Sequence, residues 1–235
     1  MRDADGKQKQ TIKSGSWNIR RGVWKQEMEV KKILHEEKLD ILFLIETDTK
    51  AVKNPEDYRV EGFVTVLQKR EKVEYMVRVM ALIEEGQSKE AKVREDLMSV
   101  KFPSIWLEMK RRNEKELLIC GFYREWTRNG INSEEQQLTT LEVLKDQIER
   151  ANEEKKDILM MGDANICTNK WNNPQYKHHR VAMELRSGLE QNGMKNIDIG
   201  NTYLADNTTQ NGKNSRECLR PHIYVKRNGG KNKRI

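Results

Sequence analysis

The sequence predicts a layered α/β fold in which strand hairpins are mixed with crossover helices. Short apolar runs of the kind that form strands outnumber the segments with helical spacing. Two of those runs, 41–45 and 158–161, are continuously apolar and follow a charged residue, which is typical of strands buried on both faces. A chain of 235 residues is long enough for one large domain of this class.

The first half of the chain is predicted to contain four strands and one helix. Residues 25–38 carry apolar side chains at helical spacing among charged ones, which predicts a helix with a narrow apolar face made by Met28, Val30, Ile33 and Leu34. A turn-prone Arg-Arg-Gly at 20–22 ends the first predicted strand. The strand candidates are 12–19, 41–45, 58–68 and 75–83.

The second half is predicted to contain two helices and four further strands. Ser133 and Gln136 match a capping box, and apolar residues follow at helical spacing as far as Ile148. A second helix is expected near 178–192, where Val181, Leu185 and Leu189 share one face. The strand candidates are 104–109, 117–122, 158–161 and 222–225.

The composition excludes a membrane protein and a conventionally secreted protein. Charged residues make up 34% of the chain and mean hydropathy is −0.91, and no apolar run approaches the roughly 18–20 residues of a membrane span. The first ten residues contain no apolar segment of the signal-peptide type. The three cysteines are odd in number and form no Cys-x-x-Cys pair, which argues against a disulfide framework and a zinc site. We therefore expect an intracellular protein, nuclear or cytoplasmic, that has no membrane partner.

The net charge of +7 comes from the two ends of the chain. Residues 1–13 carry four basic and two acidic side chains, and residues 226–235 carry five basic side chains and no acid, so residues 14–225 are formally neutral. The predicted organisation is a disordered basic arm over 1–11, one domain over 12–226 and a disordered basic tail over 227–235. Both ends could attract nucleic acid or simply solubilise the chain.

Polar side chains follow four of the predicted strands, at the places where ligands bind in α/β folds. Each group taken alone also fits an ordinary strand end or turn. Glu46 could be the first solvated residue after its strand, and Gly-Asp-Ala-Asn could be a simple turn. The four segments are Ser-Trp-Asn at 16–18, Glu-Thr-Asp at 46–48, Tyr-Arg at 123–124 and Gly-Asp-Ala-Asn at 162–165.

Together these segments supply carboxylates, carboxamides, a phenol and a guanidinium. Mg²⁺ binds to one or two carboxylates, keeps several waters and accepts a substrate phosphate. Carboxamides orient water or phosphate oxygens, while Arg and Tyr donate hydrogen bonds to phosphate. This combination predicts metal-assisted hydrolysis of a phosphodiester.

The order of these motifs resembles the endonuclease/exonuclease/phosphatase superfamily, which has the DNase I-like fold. WNIRRG is followed by ILFLIETD, by Tyr-Arg after an apolar strand, and by MGDAN. Within the superfamily the sequence is similar to the AP-endonuclease-like domains of non-LTR retrotransposons, over about residues 12–226. The resemblance implies two mixed β-sheets packed face to face and flanked by helices, a four-layer sandwich.

The resemblance also implies a role for each site residue. Glu46 would bind the metal, Mg²⁺ or Mn²⁺, and Asn18 would help to arrange the metal and the phosphate. Asp48 is a weaker candidate for a second acid near the metal. The remaining roles are contact with the scissile phosphate by Tyr123, phosphate binding by Arg124, and alignment or activation of the attacking water by Asp163 and Asn165.

The end of the sequence departs from the superfamily pattern. Relatives carry an aspartate on a late strand and a final Ser-Asp-His stretch, but here Arg220-Pro221 occupies the aspartate position and the chain stops at Ile235 without that stretch. The catalytic Asp–His pair and the last strand are therefore expected to be missing. His222 is only a weak catalytic candidate, and surface roles are expected for His35, His178 and His179.

The sequence thus predicts a metal-dependent phosphodiesterase, specifically a monomeric DNA-nicking endonuclease of retrotransposon origin. Two alternatives stay open. The missing Asp–His pair would suit a catalytically impaired remnant that only binds nucleic acid. The superfamily also contains phosphatases that act on small phosphorylated molecules, and loops rather than the fold decide the substrate.

Overall fold

The computed structural model describes residues 11–20, 22–111, 114–125, 133–166, 170, 172–197 and 222–226, the last of these by their backbone. Within these residues, a smaller sheet contains four strands in the order β1-β2-β4-β3. β1 and β2 are parallel, and β4 is antiparallel to both β2 and β3. The bounds are Ser14–Asn18 for β1, Ile41–Thr49 for β2, Phe63–Leu67 for β3 and Val77–Glu84 for β4.

The larger sheet contains the other six described strands. They are β5 (Ala91–Val93), β6 (Ser104–Met109), β7 (Leu117–Tyr123), β8 (Asp157–Asp163), β9 (Lys195–Ile197) and β10 (His222–Lys226). Their order is β5-β6-β7-β8-β10-β9. β7 and β8 are parallel, and every other neighbouring pair in this sheet is antiparallel. Both sheets are therefore mixed.

Helices cover the outer faces of the two sheets. α1 spans Glu27–Glu36, α2 Glu85–Ser88, α3 Glu134–Glu153 and α4 His179–Gln191, and a 3-10 turn spans Pro55–Asp57. The capping box predicted for Ser133 and Gln136 is present at the start of α3. None of the described helices is long and apolar enough to cross a lipid bilayer.

Three apolar clusters define four layers. One cluster lies between the sheets and joins alternate residues of β2, such as Phe43, to Ile105 and Ile119 of the larger sheet. A second packs α1 against the smaller sheet, and a third packs α3 and α4 against the larger sheet. A Cβ at Gly121 would lie 2.0 Å from the Phe43 ring, so glycine there allows the sheets to approach closely. The predicted fold class is confirmed.

The structure corrects several expectations from the sequence. Residues 58–62 are not part of β3, which begins at Phe63. Tyr58 instead follows the 3-10 turn directly and is buried. β2 continues past residue 45 to Thr49. Met28 is 77% exposed, so it lies outside the apolar face of α1. The short elements α2, β5 and β9 were not predicted, because three or four residues carry too little periodic signal.

Other sequence predictions lie outside the described residues. Both basic ends, Arg220-Pro221, Cys167 and Cys218 belong to this group, while Cys120 is a buried free thiol. The predicted strand at 222–225 is present as β10, which pairs with both β8 and β9. The domain boundaries and the absence of a further strand stay predictions.

Candidate active site

Two hydrogen bonds join the two sheets at one edge of the sandwich. Asn18 is the last residue of β1, and its Nδ2 donates to Oδ2 of Asp163, the last residue of β8, at 2.8 Å. The hydroxyl of Tyr123, at the end of β7, donates to Oε1 of Glu46 in β2 at 3.3 Å. The parallel pairs β1/β2 and β7/β8 thus bring four polar side chains together at their carboxyl ends.

Glu46 lies in an irregular part of β2. The register with β4 shifts between Ile45 and Thr49, and both Glu46 and Asp48 have positive φ, 57° and 46°. Arg78 of β4 donates from Nη1 to Asp48 and from Nη2 to Glu125 at 2.5 Å. Asp48, a weaker metal candidate from the sequence, is therefore engaged in an ion pair and its side chain is 1% exposed.

Asp163 begins a tight turn that is fixed on both sides. The backbone N–H of Asn165 donates to Asp163 Oδ1 at 2.8 Å, and Asn165 has a positive φ of 49°. The Asn165 Nδ2 donates to the carbonyl of Arg124 at 2.7 Å. Both oxygens of the Asp163 carboxylate therefore accept hydrogen bonds, and its orientation is set before any ligand binds.

Arg124 faces the interior of the protein. Its side chain donates to the carbonyls of Ala164 and Asn165, the latter at 2.9 Å, and to Oε1 of Gln137 at 3.0 Å. The residue is 1% exposed. This geometry does not favour the phosphate contact that the sequence predicts for Arg124.

Burial and repulsion between acids change the protonation of the site. Burial raises the pKa of Glu46, and the nearby Asp48 and Asp163 raise it further, while hydrogen bonds from Asn18 and Tyr123 oppose the rise. Burial also raises the pKa of the Tyr123 phenol well above its usual range, and the surrounding carboxylates add to this effect. Tyr123 therefore stays protonated at neutral pH and can donate a hydrogen bond.

The similarity to solved structures decides the fold. The chain aligns with the endonuclease domain of TRAS1, a telomere-specific non-LTR retrotransposon, at 13% identity and a TM-score of 0.59, covering 89% of this chain and 82% of that one. An AP endonuclease from Archaeoglobus fulgidus aligns at 16% identity and 0.62, over 92% and 86% of the two chains. The AP endonuclease LMAP from Leishmania major aligns at 14% identity and 0.66, over 90% and 77%. The chain has the DNase I-like fold. No protein-family model and no curated protein matches the sequence.

In this DNase I-like fold, the donor set fits a hard divalent cation. Tyr123 is surrounded by four carboxylates, Glu46, Asp163, Asp48 and Glu125, of which the last two share Arg78. The described residues contain no group of three or more acidic, histidine or cysteine side chains arranged around one metal position. Mg²⁺ requires only one or two carboxylates together with water, a number that Glu46 and Asp163 satisfy.

The expected lack of an Asp–His pair stays a prediction, and the histidines lie in different parts of the fold. The backbone of His222 is opposite Gly162, next to Asp163, in the β10–β8 ladder. His35 is on the exposed face of α1, as expected. His178 is a correction, because it is 7% exposed and packs edge-on against Tyr176 where α4 begins.

Sequence reasoning missed Arg78 and Gln137, which hold the site in place. Arg78 interrupts an otherwise apolar strand, and a charge at such a position signals a buried partner. Gln137 resembles an ordinary residue of the first turn of a helix, so nothing in the sequence marks it. Asn18, Glu46, Tyr123, Asp163 and Asn165 are brought together as expected, and their chemical roles stay predictions.

Proposed function

We propose that this protein is a metal-dependent endonuclease that hydrolyses phosphodiester bonds in DNA. The observation that carries the proposal is the pair of cross-sheet hydrogen bonds, Asn18 to Asp163 and Tyr123 to Glu46, which gathers acid, amide and phenol at one edge. The similar structures are named as AP endonucleases and a retrotransposon endonuclease domain, which supports a nuclease rather than a phosphatase. Origin from a retrotransposon is part of the same proposal.

Glu46 would hold Mg²⁺ or Mn²⁺, with Asp163 close by. The bound cation supplies positive charge that offsets the negative charge developing on the phosphate. Without that cation, the cluster of carboxylates would repel a phosphodiester. Burial is the main cause of the raised pKa of Glu46, and repulsion from Asp48 and Asp163 adds to it.

Asp163 and Tyr123 would act directly on the reacting atoms. Because Asn18 and the Asn165 N–H fix both oxygens of the Asp163 carboxylate, it can align a water molecule and take a proton from it. Tyr123 is protonated and can donate a hydrogen bond to a phosphate oxygen as its charge grows. The Asn165 carboxamide borders the same space, with its Nδ2 group donating to Arg124.

The test is nicking of supercoiled plasmid DNA with Mg²⁺ or Mn²⁺ by the wild type, Glu46→Gln and Asp163→Asn. We expect nicking by the wild type and a loss of at least 10²-fold in both variants, since each removes a charge that the chemistry needs. Glu142→Gln is the matched control, because Glu142 is an exposed residue of α3 that belongs to none of the site motifs. Wild-type protein that nicks at no metal concentration, or a fully active Glu46→Gln, contradicts the proposal.

The binding-only alternative is separated by a second measurement on the same protein. Arg220-Pro221 at the expected aspartate position is the observation that favours it. Duplex DNA binding that weakens steeply with salt, without any nicking, would support that alternative. Release of inorganic phosphate from a phosphomonoester without nicking would instead indicate a phosphatase. Size-exclusion chromatography would test the proposed monomer.

A further inference from the structure

Arg124 is hydrogen-bonded to the Asp163–Asn165 turn through both its side chain and its backbone. We call this set of contacts the clasp. Its guanidinium donates to the carbonyls of Ala164 and Asn165, and its own carbonyl accepts from Asn165 Nδ2 at 2.7 Å. Its backbone N–H donates to the carbonyl of Asp163 at 2.8 Å and extends the parallel pairing of β7 and β8 by one bond. Arg124 therefore contacts both the backbone and a side chain of the turn.

The clasp determines the direction of one hydrogen bond to the catalytic carboxylate. Asn165 adopts positive φ, a conformation that asparagine tolerates better than most residues, and its side-chain hydrogen bond to the Arg124 carbonyl helps to hold it there. In that conformation the Asn165 N–H is directed back to Asp163 Oδ1 at 2.8 Å. Releasing Asn165 would allow this N–H to turn away and would leave Asp163 held by Asn18 on one oxygen.

The clasp is also anchored to the outer helix layer. Gln137, in the first turn of α3, accepts from Arg124 Nη1 at 3.0 Å and is itself buried. Arg124 thus connects the end of β7, the turn after β8 and the beginning of α3. A guanidinium can make this connection because its planar donors reach several acceptors at once, which an ammonium group cannot do.

We propose that Arg124 is a positioning residue, which orients the Asp163 carboxylate by clasping the Asp163–Asn165 turn and which does not bind the substrate phosphate. This inference rests on the proposed nuclease function and deepens it. A buried guanidinium that donates to the carbonyls of the Asp163–Asn165 turn is badly placed to bind a phosphodiester that approaches from solvent.

The test compares Arg124→Met with Arg94→Met. Arg94 is a second buried arginine near the larger sheet, 8% exposed, and its guanidinium pairs with Asp96, Glu108 and Glu154. With saturating enzyme and Mg²⁺, we expect Arg124→Met to lower the single-turnover nicking rate by about 10²-fold, the cost of a small misplacement of a catalytic group. The DNA Kd should stay within about threefold of wild type. Arg94→Met should lower Tm and leave the nicking rate of the folded protein unchanged.

Three results would overturn the inference. A folded Arg124→Met that nicks at the wild-type rate would remove the positioning role. A variant that loses DNA affinity while keeping its saturating rate would show that Arg124 meets the phosphate after all. A rate loss that merely follows the unfolded fraction, as for Arg94→Met, would also contradict the inference.

A readout without turnover keeps this inference separate from the proposed function. Amide hydrogen exchange over 163–166 should accelerate in Arg124→Met and stay unchanged in Arg94→Met, whether or not the wild type nicks DNA. A wild type that never nicks, with that exchange result, would refute the nuclease and leave the clasp intact. Unchanged exchange at 163–166 refutes the clasp.

Gln137 provides a second pair of variants if Arg124→Met does not fold. Gln137→Met removes the acceptor on α3, whereas Gln137→Glu keeps an oxygen in the same place. We expect a nicking rate reduced several-fold and faster exchange at 163–166 for Gln137→Met, with both restored towards wild type in Gln137→Glu. Equal behaviour of the two Gln137 variants would contradict the clasp.

Discussion

The two segments that carry the acids of the candidate site are each held by an arginine, but the two arginines contact different kinds of acceptor. Glu46-Thr47-Asp48 in β2 and the turn Asp163-Ala164-Asn165 both contain an acid followed two residues later by a residue with positive φ. Arg78 holds the β2 segment through the carboxylates of Asp48 and Glu125. Arg124 holds the second turn through backbone carbonyls and the amide oxygen of Gln137.

The difference shows two physical ways to hold an acid of the candidate site in place. Arg78 compensates charge, because its guanidinium pairs with the buried Asp48 carboxylate, whose charge acts on the nearby Glu46. Arg124 instead fixes the backbone conformation of the Asp163–Asn165 turn, and none of these contacts involves a carboxylate. We therefore expect the stability lost on substitution of Arg78 to be recovered by removing a negative charge. Substitution of Arg124 should be compensated only by a side chain that restores the hydrogen bonds.

The largest expected effect is on the acid that Arg124 positions. Asp163→Asn keeps the size of the side chain and removes the proton acceptor, so the nicking rate should fall by about 10²–10⁴-fold. The melting temperature should fall modestly, since the single amide oxygen can accept from Asn18 Nδ2 or from the Asn165 N–H but cannot replace both carboxylate oxygens. Nicking kinetics and calorimetry on one preparation check both parts. A rate loss of less than tenfold would show that Asp163 is not the proton acceptor.

The next effect tests charge compensation by Arg78. Arg78→Met should lower the free energy of unfolding by about 3 kcal/mol, because it removes the cation that pairs with the nearly inaccessible Asp48 carboxylate. Adding Asp48→Asn should recover most of that loss, as judged by urea denaturation. If the double variant is as unstable as Arg78→Met, the interaction is packing rather than charge.

A pH effect is expected at Glu46 in the absence of metal. The folded-state pKa of Glu46 is raised, so ionisation of this carboxyl opposes folding. The protonated carboxyl stabilises the fold at low pH, and that contribution is lost as pH rises through the folded-state pKa. Glu46→Gln should therefore have a higher Tm than the wild type at neutral pH without metal, and the gap should close at acidic pH. Added Mg²⁺ should raise the Tm of the wild type alone. A Glu46→Gln variant that is less stable at neutral pH would contradict the raised pKa.

The smallest effect is expected at the solvent-exposed end of the Arg78 contacts. Glu125 is 37% exposed in its side chain, so Glu125→Gln should cost about 0.5 kcal/mol or less, and high salt should abolish the difference. Urea denaturation at two salt concentrations measures this. A loss as large as that of Arg78→Met would mean that Glu125, and not Asp48, is the main partner of Arg78.

The sequence predicts the positions of the acids better than the contacts that hold them. Asn18, Glu46, Tyr123 and Asp163 follow apolar strands, and strand ends in a layered α/β fold converge, so their grouping could be inferred from order alone. The extension of β2 to Thr49 could not be inferred, because it depends on a register shift and on positive φ at Glu46.

The two arginines show why the rest was not predictable. Arg124 follows Tyr123 at a strand end and is expected to face substrate, yet its partners Ala164 and Asn165 lie about 40 residues further along the chain. Arg78 and Asp48 are separated by 30 residues. Such contacts depend on tertiary packing, and no local periodicity records them.

The most direct test of the cross-sheet site is a double-mutant cycle on nicking, using Glu46→Gln, Asp163→Asn and the double variant with Mg²⁺. The two acids belong to different sheets and are proposed to serve one reaction, so the account predicts that the double variant is about as slow as the slower single variant. Losses that multiply across the two sheets, or undetectable nicking by the wild type, would contradict a single hydrolytic site at this edge.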